Sequence, residues 1–143
     1  IGAIRERWKG KLVLKGVASE EDAEMALRLG LDGIIVSNHG GRQLDAGQSA
    51  IAAMRDIIHA CQGKMTVMMD SGIRSGPDIG RCLASGAEFV FLGRSFMYGV
   101  AALGEKGGEQ VMGLLTRQLV QLMEQLGCDR IHRLKEHLIE QTR

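Results

Sequence analysis

Residues Gly33 to Asp45 read GIIVSNHGGRQLD. The first four carry no polar alternation. So short and apolar a run reads as a strand of the buried type, covered on both faces. The chain then turns polar at once, with Ser37, Asn38, His39, Gly40, Gly41 and Arg42. A histidine and an arginine therefore stand on a glycine hinge just past the end of a strand. In parallel α/β sheets that is where binding sites are built.

Working outward, the same unit recurs. Before it, Lys11 to Leu14 (KLVL) predicts a strand ending in Lys15-Gly16, and Ser19 opens the helical stretch SEEDAEMALRLG. Ser19 and Asp22 resemble a capping box, acids fill the first turn, and Gly30 closes the helix. After it, Ser49 to Ala60 predicts a helix with Ile51, Met54, Ile57 and Ile58 on its apolar side. Met65 to Met69 (MTVMM) predicts a third strand. Gly76 to Ser85 predicts a third helix, with Pro77 at its start and Gly86 at its end. Phe89 to Leu92 (FVFL) predicts a fourth strand, and everything after Ser95 reads as helical. The order is β-α-β-α-β-α-β-α. LRLGLDGIIVS and CLASGAEFVFLG share a helix end, a glycine, an acid and a strand. Four such units make a single domain, either half of an eight-unit barrel or a small open α/β sheet.

Composition narrows the function. The chain has 143 residues, 45% hydrophobic and 24% charged, with a net charge of +1. That balance offers no electrostatic footprint for nucleic acid, and 3% aromatics leave little for base stacking. No run approaches the ~20 apolar residues that span a bilayer. Cys61, Cys82 and Cys128 show no metal or redox spacing. They are expected to pack as small apolar residues in a reducing, cytoplasmic setting.

Polar residues concentrate after the strands. They are Lys15-Gly16, then Ser37 to Arg42, then Asp70-Ser71-Gly72-Ile73-Arg74-Ser75-Gly76, then Gly93-Arg94-Ser95. The opposite turns, Gly30-Leu31-Asp32 and Ser85-Gly86-Ala87, are short and plain. A face loaded on one side only points to an enzyme. DSGIRSG and LGRS each place glycine, arginine and serine ahead of a helix. Glycine lets backbone N–H groups come close to a ligand, and a helix N-terminus favours anions. Together they predict a phosphate site of the kind found after the last two strands of barrels. The plainer reading makes Gly72, Gly76 and Gly93 simple turns, with Arg74 and Arg94 solvated.

LVLKGV, SNHGGRQLD, DSGIRSGPDI and FVFLGRSFMYG together closely resemble the flavin-dependent α-hydroxy-acid oxidising family, which includes glycolate oxidase, L-lactate dehydrogenase, L-mandelate dehydrogenase and the flavin domain of flavocytochrome b2. The motifs fall in the same order at all four strand ends. The resemblance implies the C-terminal half, strands five to eight, of a TIM (β/α)8 barrel. It implies FMN as cofactor and a small 2-hydroxy acid as substrate. By the same resemblance His39 is the active-site base and Arg42 clamps the substrate carboxylate, a bidentate task unsuited to lysine. Lys15 lies beside the flavin ring where reduction builds negative charge. Ser37 and Gly40 line the flavin pocket with His39. Asp70, Gly72 and Arg74 form the ribityl and phosphate loop, and Gly93 and Arg94 form the second phosphate loop.

Other polar residues have plainer readings. His59 is expected to be a partly buried or surface helix residue, His132 and His137 to lie on a solvated helix face, Asp45 to cap or brace the histidine loop, and Trp8 to anchor packing on the helix ahead of the first strand. Family members are about twice this length, and the chain starts at Ile1 rather than Met. The expectation is therefore a fragment, whose partner is a missing N-terminal half-barrel or a second copy, with a homo-oligomer as the full assembly. Two alternatives stand beside this reading. One is a catalytically incomplete half-barrel that only self-associates. The other is a different FMN- or phosphate-binding barrel enzyme, such as an isopentenyl-diphosphate isomerase or inosine-monophosphate-dehydrogenase relative, although SNHGGRQLD argues against it.

Overall fold

A computed structural model describes residues 1–139. They group into two compact units. The first is Ile1–Gly72 with Gly86–Val90, and the second is Ile73–Ser85 with the residues from Phe91 onward.

The first unit holds helix α1 (Gly2–Arg7), strand β1 (Val13–Val17), helix α2 (Glu20–Arg28), strand β2 (Gly33–Val36), helix α3 (Ala50–Cys61), strand β3 (Thr66–Met69) and strand β4 (Phe89–Val90). The four strands form one parallel sheet in the order β1-β2-β3-β4. Spatial order therefore follows chain order without reversal. A doubly wound open sheet reverses at a switch point, whereas a barrel does not.

Register explains the two faces of the sheet. Leu14 pairs with Ile34 and Ile34 with Val67, while Val17, Val36, Met69 and Val90 form the next row. Ile34, Val36, Val67 and Met69 are buried under α2 and α3, together with Ala23, Ala26, Met54 and Ile57. The alternate row is Lys15, Ile35, Met68 and Phe89. None of these four is fully buried, and Phe89 is 55% exposed. Burial in the strands therefore alternates. Within this unit the expectation of strands hidden on both faces holds for one face only, because α2 and α3 pack against the Ile34 row.

Strands β1 and β4 differ most from the sequence expectation. The first strand begins at Val13 and runs on to Val17, past the predicted end at Leu14. Gly16 permits this. Its φ of +95° creates a bulge between Lys15 and Val17, after which the ladder resumes against Val36. The fourth strand covers only Phe89–Val90 of the predicted FVFL. Trp8 also departs from expectation. It is 55% exposed, and its ring lies over Gly10 while its indole N–H donates to the Lys11 carbonyl at 2.9 Å. It folds the entry to β1 back on itself and anchors no core.

Asp32 ties this entry together. Its carboxylate meets Lys11 at 2.8 Å, Arg5 at 3.2 Å and the Leu12 N–H at 2.9 Å. The Lys11 hydrogen bond, with help from Leu12 and Arg5, holds its pKa down at about 2.

The second unit is helical, with α4 (Gly76–Ala84), α5 (Arg94–Leu103), α6 (Gly107–Leu126) and a 3-10 helix at Ile131–His137. Ser75 and Asp78 form a complete capping box at the start of α4, with Pro77 in the first turn. In α2 the Ser19 hydroxyl accepts from the Asp22 N–H at 3.2 Å. Small residues set the α4–α6 packing, since a Cβ on Gly76 or Gly80 would collide with Gln118, Leu119 or Leu122. Cys82, Leu115, Cys128 and Leu134 fill the buried centre of this unit. No described helix is long and apolar enough to cross a membrane.

Candidate functional site

The first unit gathers its polar residues at the C-terminal ends of β1, β2 and β3. Lys15 projects from the open row of the sheet. Its Nζ forms an ion pair with Asp70 Oδ2 at 2.7 Å and donates to Ser37 Oγ at 2.8 Å. Asp70 follows β3 directly, and its other oxygen, Oδ1, accepts from the Ser71 hydroxyl at 2.9 Å. Burial pushes the Asp70 carboxyl up, but the Lys15 ammonium and the Ser37 and Ser71 hydroxyls outweigh it. The net pKa lies below the usual carboxylate range. Asp70 is therefore an anion at neutral pH, and its ion pair holds the Lys15 Nζ in place beside it.

Ser37 is the one polar side chain among the described buried residues, at 1% exposure. Its burial is tolerable because its hydroxyl is fully engaged. Besides Lys15, it accepts the His39 N–H at 3.1 Å. The Ser71 hydroxyl accepts the next one, the Gly40 N–H, at 3.0 Å. Two serines from different loops thus hold two consecutive amides of the histidine turn.

That turn is strained. His39, Gly40 and Gly41 all have left-handed φ, at 56°, 67° and 74°. Glycine adopts this readily, whereas a side-chain-bearing residue there costs roughly 1–3 kcal/mol. The conformation lays the His39 imidazole over Gly16, where an added Cβ would fall 2.8 Å from Nε2. The imidazole is exposed, with no hydrogen bond among the described residues, and Arg42 at the end of the turn is exposed too. The Asp45 carboxylate lies against Gly41, with Oδ1 3.0 Å from the position of an added Cβ, so it sits where a brace would.

The second unit carries the other two loops. Arg74 and Ser75 donate their N–H groups to Asp78 Oδ2, each at 3.1 Å. Burial pushes the Asp78 carboxyl up, but the Ser75 hydroxyl and these two amides overcome it and lower its pKa. The Ser95 hydroxyl, in the first turn of α5, reaches the Arg74 carbonyl at 3.4 Å. That contact brings the two predicted phosphate loops side by side. Gly93 caps α5 without a side-chain bond, and a Cβ there would meet nothing within 4 Å. The opening N–H groups of α5 are thus presented past a bare backbone.

The predicted residues fall into two sets. Lys15, Ser37 and Asp70 bond directly to one another, with His39 and Gly40 joined through backbone amides. Gly72 closes the first unit's loop with a φ of 79°. Arg74, Gly93 and Arg94 belong to the second unit. Ser71 and Asp78 were not singled out from sequence. A serine or aspartate in a polar turn carries no pattern of its own, although Ser75 followed three residues later by Asp78 is a readable capping signal. His59, His132 and His137 are exposed. All three cysteines are buried and unpaired, and burial drives the Cys82 thiol up to about 11, so it is no nucleophile at neutral pH.

The chain is similar to several known proteins. The family described as FMN-dependent dehydrogenase matches residues 1–141. The L-lactate dehydrogenase of Xanthobacter autotrophicus is 53% identical over 116 residues, which are 81% of this chain and 30% of that protein. The 2-hydroxyacid oxidase 2 of Rattus norvegicus is 42% identical over 132 residues, 92% of this chain and 37% of its own length. A solved mandelate oxidase with benzoyl-formic acid superposes with a TM-score of 0.88 at 39% identity, covering 94% of this chain and 40% of that one. A mandelate oxidase variant with a monooxide FMN adduct matches equally well, with a TM-score of 0.88. The chain spans 30% to 37% of the length of these curated relatives.

Proposed function

This chain belongs to the FMN-dependent dehydrogenase family, and from that premise we propose that it carries the base, the carboxylate clamp and the phosphate loops of an enzyme oxidising an L-2-hydroxy acid to the 2-oxo acid. The observation that carries the proposal is the His39 turn. The histidine is held in a left-handed conformation by two serine hydroxyls, that of buried Ser37 and that of half-buried Ser71, beside the Lys15–Asp70 pair and one turn from an exposed arginine.

The residues present fit FMN. A phosphate needs N–H donors and positive charge, which the bare start of α5, Arg74 and Arg94 offer in the second unit. A flavin ring needs a cation where its charge grows, and Lys15 supplies one in the first unit. In this reading Lys15, Ser37, His39 and Gly40 contact the ring, Asp70 and Gly72 the ribityl chain, and Arg74, Gly93 and Arg94 the phosphate. When bound, FMN supplies the acceptor for the two electrons leaving the substrate.

The chain's own groups do the rest. Arg42 grips the substrate carboxylate through two parallel N–H donors and sets which carbon faces the cofactor. His39 accepts a proton from the substrate as the electrons leave. Asp70 orients Lys15 through their ion pair. The open row of β1 to β4 is covered, in this proposal, by the N-terminal part of a full-length enzyme. Without that part, a second copy of the chain covers it.

The test joins the chain to the N-terminal part of the Xanthobacter relative. The fused protein should retain FMN and oxidise L-lactate, glycolate or L-mandelate. Arg42→Lys should raise KM about tenfold or more, since one ammonium replaces a two-point grip. An unchanged KM would remove Arg42 from the site.

A further inference from the structure

We propose that Ser71 is a positioning residue for the His39 turn, and that its hydroxyl, acting with that of Ser37, sets the direction of the imidazole. The proposal rests on His39 being the base. It goes beyond that reading because Ser71 belongs to the loop after β3, whose expected task lies with the cofactor and not with the histidine.

Three observations meet at this side chain. First, the Ser71 hydroxyl has its hydrogen bonds committed in both directions. It donates to Asp70 Oδ1 at 2.9 Å and accepts the Gly40 N–H at 3.0 Å. Second, Ser71 has a φ of 77°, a left-handed conformation unusual for a residue with a side chain. Glycine would be at ease there, so the backbone alone gives no reason for a serine. The hydroxyl does. Third, the amide it holds lies next to the one that Ser37 Oγ holds, the His39 N–H at 3.1 Å. The two hydroxyls stand 3.5 Å apart. They pin the first two amides of a turn whose three residues are all left-handed. Asp70 links this pair to Lys15, so the orientation of the base and the position of the cation are set by one network.

The consequence is directional. The short imidazole cannot re-aim if its backbone relaxes, because Gly16 lies directly beneath it. Arg42 is exposed and long, and it can re-aim. Loss of the Ser71 hydroxyl should therefore affect the base more than the carboxylate clamp.

Ser71→Gly isolates the hydroxyl, because glycine accepts the φ without strain. Ser71→Ala removes the hydroxyl and keeps the strain. In the full chain, amide hydrogen exchange at Gly40 should quicken about tenfold in both variants, as expected for one lost hydrogen bond, while core amides such as that of Ile57 keep their protection. In the fused, FMN-loaded enzyme, Ser71→Gly should lower kcat about tenfold with KM and FMN affinity held, the pattern of a misplaced catalytic group. Unchanged Gly40 exchange would overturn the contact. Faster exchange with an unaltered kcat would overturn the positioning role. His39→Gln runs alongside. If it leaves kcat intact, the assignment of the base fails, while the exchange result still decides whether Ser71 holds the turn.

Discussion

His39 sits in a conformation its own backbone disfavours, and the residues that keep it there are small. Gly16 is the clearest case, because its lack of a side chain makes the seat for the ring. Gly16→Ala adds a methyl 2.8 Å from Nε2 at a φ that alanine resists. It should displace the imidazole and cut flavin reduction by about a hundredfold, with bound FMN retained in the visible spectrum. Reduction at the wild-type rate would mean that the imidazole does not work from this position. The sequence made His39, Arg42, Lys15 and Asp70 legible, because each stands just after an apolar run, where polar residues need a reason. It did not reveal that Asp70 pairs with Lys15 or that Ser71 reaches Gly40. Those contacts join separate strands, and only the register of β1, β2 and β3 brings them together.

Helices and strands were legible to the extent that local chemistry fixes them. The apolar runs located β2 and β3, and Ser19, Pro77, Gly30 and Gly86 marked helix ends. Two misreadings have a common cause. The length of β1 depends on a bulge at Gly16, and β4 stops short at Val90, so both follow from pairing and not from composition. The close approach of α4 and α6 gives a direct prediction. Gly76→Ala sets a methyl against the Leu119 backbone, which cannot move aside as a side chain could. It should destabilise the protein by about 1–3 kcal/mol, visible as a lower urea midpoint; an unchanged midpoint would mean the helices have room. Asp32 gives a second. Its pKa is depressed to about 2 from 3.8, so its contribution is complete above pH 3.8 and is lost as pH falls toward about 2. Asp32→Asn should shrink the loss of thermal stability across that window. It should not abolish it, because Asp70 and Asp78 are depressed as well. An acid limb as steep in the variant as in the wild type would show that the Arg5–Asp32–Lys11 cluster contributes nothing.

At the scale of the molecule, four consecutive βα units with a sequentially ordered parallel sheet are part of a barrel, and the chain covers 30% to 37% of its curated relatives. That much could be read from four repeats of one pattern. The open row was less visible, because apolar strands look alike whether one face or both are covered. Val13 and Phe89, at 42% and 55% exposure, lie on that side, and β1 and β4 each leave one edge unpaired within the first unit's sheet. Sedimentation of the chain at micromolar concentration should show association, whereas a compact monomer throughout would contradict the proposed covering of this face. The most direct test of the catalytic assignment is anaerobic bleaching of the flavin band in the fused, FMN-loaded protein on adding L-lactate, glycolate or L-mandelate. With His39 present, at least one of these acids should bleach the band rapidly. In His39→Gln, FMN should stay bound and bleaching should slow by about a hundredfold or more, the usual contribution of a positioned base. Bleaching at an equal rate in the variant would contradict the role given to His39 and, with it, the reading of the strand-end cluster as the catalytic site.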